Sequence, residues 1–594
     1  MFQTFEATTS PHTGAKRLAA LREAIAGAGF TGFLIPRADA HQGEYVAPCD
    51  ERLSWLTGFT GSAGFCAVLP EIAGVFIDGR YRVQVKAQVD TDQFTPVPWP
   101  ETKLERWLRE QLRQGKIGFD PWLHTKDQID TLTKELTGSG INLVSCENLV
   151  DRIWHDRPAA PAGKVENYPV ELSGKTSVAK RAEISAKLAK DKQRAAVLTL
   201  PDSIAWLLNI RGSDIPRIPI VQSFAILHAS GKVDLFADPG KFEELPADPD
   251  ISVLPPEKFE AALVRLQGPV RVDKRTAPLR IWQILDAAGL EINDGADPCI
   301  LPKARKNPTE IECTKTAHLR DAHAMVEFLA WLDRQPPGSL REIDVVTALE
   351  GFRAQTNALR DISFETIAGA GPNGAIVHYR VTEETNRSLE DGDLLLVDSG
   401  GQYVDGTTDI TRTIPIGTPS EAQKRCFSLV LKGMIAISRT CFPKGLAGRD
   451  LDALARAPLW RAGLDYDHGT GHGVGAYLSV HEGPQRISRI GEVPLDPGMI
   501  LSNEPGYYRE SAFGIRIENL IVVQPAPTIE GADDRDMLAF ETLTWVPIDR
   551  RLILPDMLSN GERDWLNAYH ETIRARLDVT GETAKWLAEA TAPL

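Results

Sequence analysis

The chain contains no run of eighteen or more apolar residues, which removes a helical membrane span. Its opening stretch, MFQTFEATTSPHTGAKRLAA, lacks the apolar core of a secretory signal. Cysteine is scarce and odd in number, seven in 594 residues, and no two stand in a CxxC pair. A disulfide framework and a thiolate zinc site are therefore not expected, and a reducing cytoplasm fits. Basic residues are in deficit, 66 against 81 acidic, for a formal charge of −15. So acidic a surface repels phosphate backbones, and neither nucleic acid nor a membrane is expected as a partner. Tandem repeats and low-complexity tracts are also missing. What remains is ordinary globular material, 42% hydrophobic and 25% charged, in a chain long enough for several domains.

The pattern predicts an α/β protein in three parts. Strand-like GFLIP (32–36) and GVFID (74–78), a DGR turn, and the amphipathic LERWLREQLRQ (104–114) mark the first. The Pro- and Ala-rich DRPAAPAGKVENYP (156–169) reads as a linker. The second part holds a helix at SVAKRAEISAKLAKDKQ, a strand at SFAILHA (223–229), and the Pro-broken RIPIV (217–221) at an edge or loop. KARKNPTEIE (303–312) then introduces a long helical pattern, with Asn-Pro and a capping-type Thr-Glu at its start. The predicted boundaries are 1–160, 161–306 and 307–594. No relationship between the first two parts is visible in their residues.

The chemistry-bearing side chains concentrate in the third part. In LLLVDSGGQYVDGTTDITRTIPI (394–416), an apolar run ends at Asp398 and a β-branched run carries Asp409. A hairpin turning at Val-Asp-Gly would set the two on neighbouring strands, although two such aspartates alone read as turn residues. HGTGHGVGAYLSVHEGP (468–484) holds His468, His472 and His481 among glycines. Those glycines disfavour a zinc helix, and no glutamate completes HExxH. MILSNEPGYY (499–508) delivers Glu504 from an apolar strand just before Pro-Gly. In GIRIENLIVV (514–523), period-two geometry places Arg516 and Glu518 on one face and Ile515 and Ile517 on the other. Alone, that pair reads as an exposed salt-bridged face.

Together these segments bring about four carboxylates toward one partly buried space. Burying uncompensated carboxylates costs several kcal/mol each, so the cluster implies cations. One histidine nitrogen among oxygen ligands suits Mn²⁺, Co²⁺, Fe²⁺ or Zn²⁺ better than Ca²⁺. A pair of such ions lowers the pKa of a shared water and polarises a carbonyl, which is hydrolytic chemistry.

The ordered motifs DSGGQYVDGTTDITRT, HGTGHGVGAYLSVHEGP, SNEPGYY and GIRIEN resemble the catalytic domain of Xaa-Pro aminopeptidases (aminopeptidase P). These belong to the M24 metallopeptidases of pita-bread fold. DAHQGEYVAPCDERLSWLTGFTGSAG (39–64), FIDGRYRVQ (76–84) and SIAWLLNIRGSDIP (203–216) resemble the two creatinase-like α/β domains of the long, three-domain form. ETLTWVPIDRRLI (541–553) and ERDWLNAYH (562–570) resemble its C-terminal extension.

The resemblance implies two divalent ions per chain, Mn²⁺ foremost. Asp398 would bind one ion, Asp409 and Glu518 would bridge, and His472 and Glu504 would hold the second. Glu504 would also serve as general base. His378 and His481 would line the substrate pocket, His468 would be a further active-site histidine, and Arg516 would fix Glu518. Arg80 would reach the substrate, in a homodimer. Substrates would be peptides with proline second, whose tertiary amide and rigid ring set them apart. The alternatives are a prolidase-type dipeptidase and a non-catalytic pita-bread module binding peptides or histones.

Overall fold

The computed structural model describes residues 1–528 and 530–594, which form two compact units. One comprises Thr8–Lys303; the other joins Met1–Ala7 to Ala304–Leu594. Among the described residues no helix is long and apolar enough to cross a membrane.

The first unit is built on two six-stranded mixed sheets. The first contains β1 (Gly32–Pro36), β2 (Phe65–Val68), β3 (Ala73–Ile77), β4 (Thr95–Pro98), β5 (Gly115–Phe119) and β6 (Ile141–Ser145), in the order β4-β3-β2-β1-β5-β6. A short ribbon of β7 (Val165–Asn167) with β9 (Ile210–Gly212) accompanies the second sheet. That sheet contains β8 (Ala195–Leu198), β10 (Phe224–His228), β11 (Val233–Phe236), β12 (Ile251–Leu254), β13 (Val270–Val272) and β14 (Ile292–Asp294). Its order is β12-β11-β10-β8-β13-β14.

The two sheets share one topology. β1 and β8 each pair antiparallel with the next sheet strand on one side and parallel on the other. The pattern then continues identically to both edges, antiparallel then parallel on one side and parallel on the other. The sequence conceals this kinship, because a strand core asks only for apolar residues and specifies none of them. The expected strands at 32–36, 74–78 and 223–229 all form, and RIPIV lies in a loop.

The second unit opens with the helix Pro308–Leu332. Its N-cap is Asn307, whose side chain accepts from Thr309 N and Glu310 N while Glu310 reciprocates. The capping residue is thus the Asn before the proline and not the Thr after it.

Among the described residues fourteen strands follow: β15 (Leu359–Ile362), β16 (Ile367–Ala370), β17 (Leu394–Ser399), β18 (Gly401–Tyr403), β19 (Gly406–Thr407), β20 (Ile410–Pro415), β21 (Phe442–Pro443), β22 (Gly471–Gly473), β23 (Glu482–Ile487), β24 (Ile500–Asn503), β25 (Gly506–Arg509), β26 (Phe513–Arg516), β27 (Asn519–Pro525) and β28 (Met537–Thr542). The main sheet runs β21-β28-β27-β24-β22-β23, and a smaller one runs β16-β17-β20. β17, with residues 394–397 fully buried, packs in a core with the helices Pro308–Leu332 and Glu421–Ser438. Buried on both faces, the first four residues of β17 read as an unbroken apolar run.

Candidate metal centre

β17 and β20 pair antiparallel, with Asp398 opposite Thr411. Asp409 immediately precedes β20, so the expected hairpin does bring the aspartates together. It is not a simple hairpin. Between the partners the chain makes a smaller one, β18 to β19, turning at Val404–Asp405 and joining β15 in a separate sheet.

His472 is the middle residue of β22, flanked by glycines for a steric reason. A Cβ at Gly471 would lie 1.9 Å from the Ser502 carbonyl oxygen, and one at Gly473 would lie 2.4 Å from that of Glu482. Only glycine lets β22 come this close to its neighbours. Glu504 follows β24 and Glu518 precedes β27, on either side of the register pair Asn503–Asn519. Pro505 does not start a tight turn; the chain passes into β25 of another sheet. Likewise GIRIENLIVV is two strands, broken at Ile517 and Glu518.

Four carboxylates and one imidazole converge here. His472 Nε2 stands 3.4 Å from both Asp409 Oδ2 and Glu504 Oε1. One ligand atom each from Asp409, His472 and Glu518 lie within 4.8 Å of one another. The Arg516 guanidinium donates to Asp398 Oδ2 at 2.6 Å. Arg516 and Glu518 are each 1% exposed, which overturns the reading of a solvated face. Arg516 reaches Glu518 through Thr411. Its Nε donates to Thr411 Oγ1 at 3.1 Å, and Thr411 Oγ1 donates to Glu518 Oε2 at 2.7 Å.

Burial and charge crowding together set the electrostatics. Burial pushes the Asp398 carboxyl up to about 6, against the opposing pull of Arg516. Burial, then the neighbouring Asp409, holds Glu518 well above the ordinary carboxylate range, and burial raises Glu504. Burial works against a charged His472, yet its bond to Asp409 and the charge of Glu504 raise it to about 9. Burial in low dielectric leads the carboxylate shifts, and crowded negative charge adds to those of Asp398 and Glu518 and raises His472.

The donors fit a cation pair on a further ground. Asp398 Oδ1 is buried without a hydrogen-bond partner among the described residues. An orphaned carboxylate oxygen beside three more carboxylates and an imidazole is a mostly-oxygen donor set suited to Mn²⁺-like ions.

The remaining histidines surround this cluster. The His481 ring meets His472 edge to face, with centroids 4.4 Å apart. His468 Nδ1 donates to the Gly469 carbonyl at 2.7 Å, which leaves Nε2 to accept from the Tyr508 hydroxyl at 2.8 Å. That hydroxyl in turn accepts from Arg516 Nη1 at 2.5 Å. His378 is half-buried, and the carbonyl of the preceding Val377 accepts from Arg516 Nη2 at 3.4 Å. Arg80 belongs to the other compact unit, where its guanidinium grips Asp78, with Nη2 2.7 Å from Oδ2.

Sequence reasoning assigned no role to Thr411, Tyr508 or the buried pair Lys306–Glu482. The first two lie inside motifs already singled out, within DITRT and NEPGYY, so adjacency to a candidate ligand was the available signal. Lys306 meets Glu482 across 176 residues, and no local pattern announces that.

Comparison with known proteins agrees with this architecture. Residues 312–525 match the model of metallopeptidase family M24, and 536–594 match the C-terminal region of peptidase M24. Residues 17–153 and 156–310 each match a creatinase/prolidase N-terminal domain. The chain is 39% identical to a probable Xaa-Pro aminopeptidase P of Aspergillus fumigatus, over 98% of this chain and 92% of the relative. It is 38% identical to that of Ajellomyces dermatitidis, over 98% and 100%. Among solved structures it resembles the X-prolyl aminopeptidase of Caenorhabditis elegans, a cytosolic enzyme with a di-nuclear active site. That match has a TM-score of 0.92 and 34% identity, and covers 98% of this chain and all of the other. The chain therefore belongs to the Xaa-Pro aminopeptidase P family of M24 metallopeptidases.

Proposed function

We propose that this chain is a dinuclear-metal aminopeptidase that hydrolyses the bond between the first residue of a peptide and a proline in second place. The observation that carries the reading is the convergence of Asp398, Asp409, His472, Glu504 and Glu518 in one buried, negatively overcharged cage. Asp398 would hold one ion, His472 and Glu504 the other, and Asp409 and Glu518 both. Two divalent ions, Mn²⁺ foremost, supply an acidified water and a polarised carbonyl when bound.

The chain's own groups do the rest. Glu504 accepts the proton of the attacking water and passes it toward the leaving proline nitrogen. His481 and His378 hydrogen-bond the scissile carbonyl, which gathers charge as the tetrahedral centre forms. Proline leaves as a secondary amine, so a pocket for its ring selects substrates without an N–H at that bond. His468 holds Tyr508, and Arg516 orients Asp398. Arg80 completes the substrate site in a cytoplasmic homodimer of three-domain subunits, divided at 1–160, 161–306 and 307–594. The cytosolic description of the nematode relative supports that location.

The test is to incubate metal-stripped protein with an Arg-Pro-Pro peptide and its Arg-Ala-Pro counterpart, with and without Mn²⁺. Mn²⁺-dependent arginine release from the first peptide alone is expected. No release from either with any divalent ion overturns the assignment.

A further inference from the structure

Arg412 lies in β20 one residue beyond Thr411, is 2% exposed, and makes six hydrogen bonds. Nη1 donates to the Thr411 carbonyl at 2.9 Å and the Glu518 carbonyl at 2.6 Å. Nη2 donates to Asn519 Oδ1 at 2.8 Å, the Val546 carbonyl at 2.7 Å and the Tyr569 hydroxyl at 3.1 Å. Nε donates to the Pro547 carbonyl at 2.9 Å. None of these acceptors is a carboxylate. A buried guanidinium with no carboxylate bonded to it is held in place by oriented dipoles, each acceptor fixing the direction of an N–H.

The acceptors fall into two groups. Thr411, Glu518 and Asn519 belong to the metal cage or its border. Val546, Pro547 and Tyr569 belong to the C-terminal region that matches its own family model at 536–594. On the cage side the bonds converge on Glu518. Its N–H donates to the Thr411 carbonyl at 3.2 Å, which also accepts from Arg412, and its carboxylate accepts from the Thr411 hydroxyl at 2.7 Å.

On the far side Tyr569 is clamped. Trp565 stacks on it at 5.2 Å and Trp545 at 5.5 Å between centroids. Its hydroxyl lies 2.8 Å from the Val546 carbonyl and 3.0 Å from that of Thr544.

We propose that the C-terminal region is a structural half of the metal centre: anchored by Tyr569, it holds Arg412 as the positioning residue that sets the backbone of Glu518. This rests on the reading of Glu518 as a metal-bridging residue. A guanidinium suits the role because its planar fork fixes angles as well as charge, which a lysine cannot do. Groups that orient metal ligands commonly change metal affinity by about 10–100-fold when lost.

The experiment uses the full chain and the variant Tyr569→Phe, which deletes the hydroxyl that bonds Arg412, keeps the aromatic stack and alters none of the five candidate ligand side chains. Mn²⁺ binding is followed by calorimetry and by the EPR signal of free Mn²⁺, with kcat and KM for an Arg-Pro-Pro peptide measured in parallel. We expect affinity for at least one ion to fall about tenfold and kcat to fall with KM unchanged. Arg412→Lys should show the same loss more severely.

Thr572→Ala, at a half-buried hydroxyl that bonds only the Ala568 carbonyl of the helix Asn560–Arg576 in which Tyr569 also lies, should leave metal affinity unchanged. Wild-type Mn²⁺ affinity in Tyr569→Phe overturns the proposal, including when only its thermal stability falls. The two failures separate cleanly. A wild-type chain that loads metal yet cleaves no Xaa-Pro peptide overturns the aminopeptidase reading, while the affinity comparison still decides this one.

Discussion

Lys306 and Glu482 form an ion pair in which neither side chain is more than 1% exposed, and Glu482 is the residue directly after His481. The lysine precedes the cap of the helix Pro308–Leu332, so this bond ties the histidine-bearing loop to the start of the domain. Breaking a buried pair strands a charge at a cost of about 3–5 kcal/mol. Lys306→Met should therefore lower urea stability by that amount and reduce turnover through His481. Lys306→Met with Glu482→Leu should recover much of the stability but not the turnover. Equal stability of single variant and wild type would show the pair to be dispensable.

Arg516 offers a sharper probe of the cage. Its guanidinium serves Asp398, Thr411 and Tyr508 at once. Arg516→Lys keeps the charge but cannot satisfy all three, because an ammonium lacks the planar fork. We expect metal affinity to drop about 10–100-fold, read by competition with a fluorescent chelator. Unchanged affinity would assign the arginine to charge balance alone.

Glu504→Gln separates proton transfer from folding. Its Oε1 accepts from Ser502 Oγ at 3.1 Å, a bond that an amide oxygen can preserve. The variant should fold normally and lose about 10²–10⁴-fold in kcat, the ordinary worth of a general base. Retention of more than a tenth of wild-type kcat for an Arg-Pro-Pro peptide would remove Glu504 from that role.

Stability should fall in acid through two histidines outside the cage. Burial lowers His124 to about 4, and burial followed by the charges of Arg412, Arg550 and Arg574 lowers His570 to about 3. His570 Nε2 accepts from Ile548 N at 3.2 Å, and protonation would set two donors against each other.

Both groups bind their proton more readily in the unfolded chain. Their stabilisation is therefore complete above the unfolded pKa near 6.5 and is lost as pH falls toward 4 and then 3. Each should add a slope of about 1.4 kcal/mol per pH unit in that window. His124→Leu should flatten its share in a pH series of denaturant melts. An unchanged slope would mean that His124 titrates alike in both states.

What was legible in the sequence was whatever rests on local chemistry. Apolar runs announced β17 and β24, acidic residues at their ends announced Asp398 and Glu504, and the glycines around His472 ruled out a zinc helix. Motif order then identified the family. These signals survive in one dimension because each depends on a residue and its immediate neighbours.

Tertiary structure alone decided the rest. It matched the two N-terminal sheets strand for strand, because topology constrains hydrogen bonding and leaves apolar identity free. It routed Arg516 to Asp398 rather than to Glu518, two residues away, because the chain breaks between β26 and β27 and turns the carboxylate toward Thr411. It also bonded Arg412 to Tyr569, 157 positions distant. A buried charge takes its partners from whatever acceptors the fold delivers, and no spacing rule along the chain encodes which those will be.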